Sequence, residues 1–218
     1  MTLQMWLLLS AVAFVGTHFL MSHPLRDPLV RGIGEGPFRG IYAIVSFVTL
    51  GATIYFYRAI GREPPLWVPG DAVWLAASLL MWFAAILLVG SFIRNPAFPG
   101  APGPKGGPTG VFTITRHPMM WSFAIWAIVH LAVVGMPKSL VLDGAILILA
   151  LGGAAGQDRK KARQFGEAWH EWTAQTAFVP FSRGVGYPGT VALICGTVLF
   201  FLATKLHPIP AGFWRWLG

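Results

Sequence analysis

The sequence predicts an all-α fold: a polytopic membrane helix bundle with about six transmembrane helices plus a cytoplasmic amphipathic helix. Two observations carry this prediction. Hydrophobic residues make up 55% of the chain and charged residues only 11%, and the mean hydropathy is +0.63. The apolar residues are also gathered into long runs, each close to the roughly 20 residues that a helix needs to cross a bilayer. A water-soluble domain of this size would need more polar surface.

Six apolar runs define the predicted spans, which we number one to six in chain order: 3–20, 39–58, 70–93, 118–136, 138–155 and 187–205. The residues before the first run provide no basic segment, so we expect a retained helix and not a cleaved signal peptide. No linker separates two independent folding units. We therefore treat residues 1–218 as a single integral membrane domain.

The segment from Asp158 to Phe178, after span five, begins with basic residues and continues with Phe165, Trp169 and Trp172 at helical spacing. This pattern predicts an amphipathic helix at the membrane interface. It would serve either as an anchor on anionic lipid or as a lid over a site at the cytoplasmic ends of spans one and four.

The distribution of positive charge predicts the orientation. Of the 16 Lys and Arg residues, eleven lie in the loops after spans one, three and five. The positive-inside rule therefore places these loops in the cytoplasm and both termini on the opposite side of the membrane. The net charge of +8 is spread over loops and does not form one soluble basic face, so we expect a lipid bilayer and no nucleic acid as partner. The single cysteine, Cys195, excludes an intramolecular disulfide and a cysteine-based zinc site.

Two histidines fall inside predicted spans. His18 lies near the cytoplasmic end of span one, and His130 lies within span four, which opens with Thr115-Arg116-His117-Pro118. A charged side chain at mid-membrane costs roughly 2.5 kcal/mol or more, so such positions favour a functional interpretation. A neutral imidazole costs less and can offer its lone pair to a metal.

Helical faces support a flat hydrophobic cofactor between these spans. His130 shares a face with Trp126, and His18 shares a face with Phe14. One imidazole from each span makes a bis-histidine haem b chemically reasonable. The simpler alternative is that each histidine hydrogen-bonds to a neighbouring helix. The depths also differ, since His130 lies roughly 18 Å along span four and His18 only about 6–10 Å from the end of span one. If helix tilt does not close this gap, His117 becomes the better partner for His18.

Arg116 and His117 stand at the start of span four, where backbone N–H groups and the helix dipole favour an anion. Arg116 could hold a haem propionate, a lipid phosphate or the carboxylate of a nucleoside cofactor. It could equally act as a positive-inside anchor.

A family resemblance rests on Thr115 to Ser122 followed by Trp126 and His130, with support from His18, Asp158-Arg159, Phe165-Gly166-Glu167-Ala168 and the segment from Thr176 to Phe181. Together these residues resemble the NnrU family of bacterial membrane proteins, which is homologous to the 15-cis-ζ-carotene isomerases. The resemblance implies haem b with His18 and His130 as axial ligands. It also implies either a redox-linked isomerase acting on a hydrophobic small molecule or a haem protein of nitric-oxide metabolism, associated with a denitrification enzyme.

Two other classes compete. Arg116-His117-Pro118 and the later Phe165-Gly166-x-x-Trp169 pattern also resemble membrane methyltransferases of the isoprenylcysteine carboxyl type, which bind S-adenosylmethionine. Met120 and Trp121 depart from that motif, and Gln157-Asp158-Arg159 replaces its acidic pair. The third class is a non-catalytic assembly factor for a denitrification enzyme. The sequence thus predicts His18 and His130 as metal ligands and Arg116, His117 and Trp126 as cofactor-binding residues, with no catalytic residue identified.

Overall fold

The computed structural model describes residues 1–217 and contains, within that range, eight α-helices and no strands, which confirms the all-α prediction. Two short 3-10 helices lie at residues 110–113 and 212–216. The α-helices are α1 (Leu3–Ser22), α2 (Arg26–Ile33), α3 (Glu35–Ala59), α4 (Asp71–Gly90), α5 (Pro118–Val134), α6 (Pro137–Phe165), α7 (Glu167–Gln175) and α8 (Thr190–Lys205).

Four helices, α1, α3, α4 and α6, are long and apolar enough to cross a membrane. The runs predicted as spans four and six form α5 and α8, which are apolar but shorter, with 17 and 16 residues. At 1.5 Å per residue these two helices are about 24–26 Å long, slightly less than the roughly 30 Å hydrocarbon core. The chain is therefore a multi-pass helical membrane protein with four candidate spanning helices among the described residues, and the count of six stays a prediction.

The outer surface of the bundle is apolar where it would meet lipid. On α3, Ile44 and Val48 are each 64% exposed and Phe47 is 75% exposed. A continuous face of this kind would be costly in water, whereas it matches the interior of a bilayer. The environment of the bundle is therefore a lipid membrane, as the sequence predicts.

Helix α6 lies at the centre of the helices that form the candidate site. Helix α1 packs against α3 and α6, while α5 packs against α4 and α6, so α6 lies between α1 and α5. Small residues permit this approach. A Cβ atom added at Gly152 would overlap the ring of Phe19, and one added at Gly156 would overlap the imidazole of His23.

The predicted amphipathic helix from Asp158 to Phe178 is wrong in its extent. Its basic first half continues α6 without a break to Phe165, and Gly166, with φ of 54°, turns the chain into the separate short helix α7. Glycine suits this turn because it adopts positive φ without a steric penalty. On α7, Trp169 and Trp172 are 1% and 5% exposed and pack into the core, so these indoles do not lie at the lipid interface.

Candidate functional site

A cavity of about 800 Å³ opens between α1, α3, α5 and α6, and we call it the α1–α6 cavity. Its walls are largely apolar, whereas one end carries basic side chains. The apolar wall includes Phe14, Phe19, Leu50, Met120, Phe123, Ile146 and Leu149. The basic end is formed by Arg26, Arg39, Lys160 and Lys161, together with Glu35. The cavity thus combines an apolar wall with a cationic end, which suits an amphiphilic ligand.

His18 lies in the wall of this cavity. Its Nδ1 is 3.0 Å from the carbonyl oxygen of Phe14, and its Nε2 is 3.3 Å from the hydroxyl of Ser46. Because a carbonyl can only accept, Nδ1 carries the proton and Nε2 keeps its lone pair. The Phe14 and Tyr42 rings contact the imidazole edge to face, with centroids 4.7 and 5.3 Å away. His18 is therefore held in one orientation and tautomer, with the Nε2 lone pair accepting from Ser46, and a metal ligand at Nε2 would replace that contact.

His130, on α5, makes the same kind of contact as His18, to the carbonyl four residues earlier in its own helix. Its Nδ1 is 2.8 Å from the carbonyl of Trp126, so Nε2 again carries the lone pair. The Trp126 indole stacks on the imidazole with 3.9 Å between ring centroids, which agrees with the predicted shared face. The next imidazole is that of His207, at 6.4 Å.

The structure does not bring His18 and His130 together. His130 is absent from the described residues that line the α1–α6 cavity, and α6 separates the helices that carry the two histidines. His18 lies about 6 Å from the C-terminal end of α1, whereas His130 lies about 18 Å from the N-terminal end of α5. The depth difference expected from sequence is thus present in the structure.

Arg116 has an intramolecular anion as its partner. Its Nε and Nη2 donate to the Asp158 carboxylate at 2.7–3.1 Å, and Nη1 donates to the Thr176 carbonyl at 3.1 Å. The guanidinium carbon also lies 5.2 Å from the centre of the Phe178 ring. Because these contacts engage all three nitrogens of the guanidinium, Arg116 supports the packing of α5 on α6 and does not reach the cavity.

His117 is fully buried beside the same carboxylate. Its Nδ1 is 3.1 Å from Gln157 Oε1, and its Nε2 is 3.0 Å from Asp158 Oδ1. The second contact is poorly aligned for a hydrogen bond, so Nε2 is a buried polar atom without a hydrogen-bond partner, close to a carboxylate oxygen. Both ring nitrogens therefore face protein partners, and His117 is absent from the described residues that line the cavity.

Gln157 is the only member of this cluster that also lines the cavity, among the residues that the structure describes. Sequence patterns alone do not identify Gln157 as a site residue, nor Asp158 as the partner of Arg116. Lys160 and Lys161 were likewise not predicted at the site, because their segment has the pattern of a surface helix. An available signal was Asp158 itself, since a lone carboxylate within a basic segment is expected to pair with a nearby cation.

A site for a bare metal ion is not formed by three or more His, Cys, Asp or Glu side chains anywhere in residues 1–217. Haem differs, because the porphyrin supplies four of the iron ligands and the protein supplies only one or two. His18 meets that smaller requirement.

The fold and the cavity define an integral membrane protein of the helical-bundle class with an amphiphilic site between its helices. The chain belongs to the NnrU protein family, whose model matches residues 6–214. This confirms the resemblance found in the sequence.

Two curated relatives are chloroplastic 15-cis-zeta-carotene isomerases. The chain is 28% identical to the Arabidopsis thaliana protein over 166 residues, which cover 72% of this chain and 44% of the relative. It is 27% identical to the Zea mays protein over 184 residues, which cover 81% of this chain and 49% of the relative. The chain thus spans less than half the length of these relatives. No solved structure matches it.

Proposed function

We propose that this chain is a membrane isomerase-like protein that holds haem b in the α1–α6 cavity and acts there on a hydrophobic small molecule. The observation that carries the proposal is the combination of an apolar cavity with His18, in a ligating tautomer, in its wall. The similarity to the two plant isomerases supports the isomerase part.

The residues of the cavity fit haem b in three respects. The volume of about 800 Å³ lies within the roughly 300–1,000 Å³ range of small-molecule sites. His18 offers Nε2, and the Phe14 carbonyl fixes its imidazole from behind. The basic end offers cations to the two propionates. His130 lies outside the cavity, so in this arrangement we propose His18 as the protein ligand.

When bound, haem would supply a redox-active iron that can exchange a ligand. The side chains of the chain do the remaining work. Phe14 and Phe123 exclude water and pack against an apolar substrate, and the Phe14 carbonyl keeps the proton of His18 on Nδ1. Cis–trans isomerisation adds and removes no atoms overall, so it requires no net proton transfer. An apolar wall with no carboxylate beside His18 is compatible with that chemistry.

A second candidate is a nitric-oxide-binding haem protein linked to denitrification. It is favoured by one observation: the cavity lining includes His18 and His23 but not His130, so a haem held by His18 would leave room in the cavity for an exogenous ligand. The methyltransferase alternative is less well supported, because the nitrogens of Arg116 are engaged by Asp158 and Thr176 and none faces the cavity to bind a cofactor carboxylate.

The proposal extends to topology. We propose that α5 and α8 also cross the membrane, giving six spans with both termini in the periplasm of a bacterial inner membrane. The length deficit of these two helices is only a few ångströms, and local thinning of the bilayer accommodates that at modest cost.

The proposed activity is tested with haem-loaded protein in liposomes containing 15-cis-ζ-carotene, under oxidising and reducing conditions, with isomers separated by chromatography. We expect conversion in one redox state only and none with His18→Ala. Haem-loaded wild-type protein that converts no substrate in either state, yet binds nitric oxide, would favour the second candidate.

A further inference from the structure

Two lysines at the basic end of the α1–α6 cavity lack an acidic partner. Lys160 and Lys161 are adjacent on α6 and both line the cavity. Lys161 is only 5% exposed, and its ammonium contacts Gln164 Oε1 at 3.2 Å and the Phe165 ring at 5.0 Å. No carboxylate within the described part of the chain forms an ion pair with either lysine. An ammonium removed from water without a counter-ion is costly, which points to an anionic ligand.

The carboxylates at this end already pair with arginines. Glu35, the one acidic residue among the described residues lining the cavity, accepts from Arg26 at 2.9 Å and from Arg39 at 3.1 Å. That carboxylate is therefore already shared by two guanidinium groups. With Asp27, which pairs with Arg26 at 3.5 Å, the basic end presents four cations to two anions, and the bound acidic group of a ligand would reduce the remaining repulsion.

The excess of positive charge at the basic end also acts on the pKa of His23. Burial lowers the pKa of His23 below its ordinary value of 6.5, and the nearby cations Lys160, Arg159 and Arg163 lower this pKa further. The imidazole is therefore neutral at pH 7, and it can accept or donate a hydrogen bond beside the lysines without adding charge.

The rest of the cavity restricts the ligand to an amphiphile. Beyond the basic end the wall consists mainly of aromatic and aliphatic side chains from α1, α3, α5 and α6. A free inorganic anion would leave this apolar volume unfilled, whereas a neutral hydrocarbon would leave the ammonium groups without an anion.

We propose that Lys160 and Lys161 bind the acidic group of an amphiphile, a carboxylate or phosphate, whose apolar body fills the α1–α6 cavity. This inference rests on the proposed function in that it uses the same cavity. Two sources present this chemistry: the propionates of haem b, and the headgroup of an anionic lipid or fatty acid.

The test compares each acid with its neutral ester on detergent-purified full-length protein. One arm titrates cis-parinaric acid and its methyl ester by fluorescence, and the other titrates haem b and haem b dimethyl ester by absorbance. We expect wild-type protein to bind at least one acid about 10-fold more tightly than its ester. We expect Lys160→Gln/Lys161→Gln to lose this preference while ester binding is unchanged.

Matched variants separate charge from structure. Arg163→Gln removes an exposed cation from the same helix outside the cavity and should keep the preference. Lys161→Arg retains the charge and should also keep most of the preference for the acid over its ester. Preference for haem b alone identifies the propionates as the source, and preference for parinaric acid identifies a lipid acid.

Equal binding of acid and ester in wild type, or a preference that survives the double substitution, would overturn the inference. The two proposals fail separately. A protein that binds haem b and its ester alike still supports the proposed function, whereas a protein that prefers parinaric acid but binds no haem refutes only the haem proposal.

Discussion

Nε2 of His117 and Oδ1 of Asp158 lie 3.0 Å apart in the interior, and the same carboxylate accepts hydrogen bonds from Arg116. This relationship joins the N-terminal end of α5 to α6. The Arg116-His117 motif is thereby a structural connection between helices, and Gln157 is the point at which it meets the cavity.

Asp158→Asn should destabilise the protein strongly, because it leaves the cation of Arg116 in a largely buried position without its anion. We expect a loss of about 2–4 kcal/mol in the free energy of unfolding, seen as a lower melting temperature in detergent. Asp27→Asn is the matched control, since the Asp27 side chain is 68% exposed and its pair with Arg26 is 3.5 Å long. Equal effects of the two substitutions would contradict this role of Asp158.

Gly156→Val should disturb the contact between α6 and α1. A side chain there overlaps the imidazole of His23, and overpacking of this kind costs about 1–3 kcal/mol. Gly144→Val on the same helix is the control, because a Cβ at Gly144 meets nothing within 4 Å. Thermal melting of both variants in one detergent gives the comparison. The account is wrong about this contact if Gly144→Val is the more damaging change.

The pH dependence of stability should carry a contribution from His23. Its pKa in the folded protein lies below the ordinary 6.5, so the unfolded chain binds the proton more readily. Protonation therefore favours unfolding, and stability should fall as the pH drops from 7.5 through 6.5 toward the folded-state pKa. Melting temperatures across this range should fall more for wild type than for His23→Gln. His170→Gln, a change at an exposed site on α7, is the control, and its melting temperatures should follow those of wild type. Melting temperatures of His23→Gln that fall in parallel with those of wild type would contradict the prediction.

Hydropathy predicted the helical membrane fold because long apolar runs have few alternatives in a bilayer. The error at α6 has a physical cause. The charged residues from Asp158 to Arg163 look like the start of a new surface helix, yet they are followed by no proline or glycine before Gly166, so the helix continues through them.

The site was predictable only in part. The stacking of Trp126 on His130 follows from their spacing of four residues on one helix. The pairing of Arg116 with Asp158 joins residues 42 positions apart, and the place of Lys161 at a cavity depends on how α6 packs against α1. Such contacts are properties of the tertiary arrangement, which a local pattern does not contain.

The most direct measurement is the visible absorption spectrum of detergent-purified protein, oxidised and reduced, with a pyridine haemochrome assay after expression with ample haem. The account predicts about one haem per chain in wild type and in His207→Ala, and loss of haem from folded His18→Ala. His130→Ala should retain haem, because His130 lies outside the cavity. Haem that remains fully bound in His18→Ala, with an unchanged spectrum, would contradict the central claim.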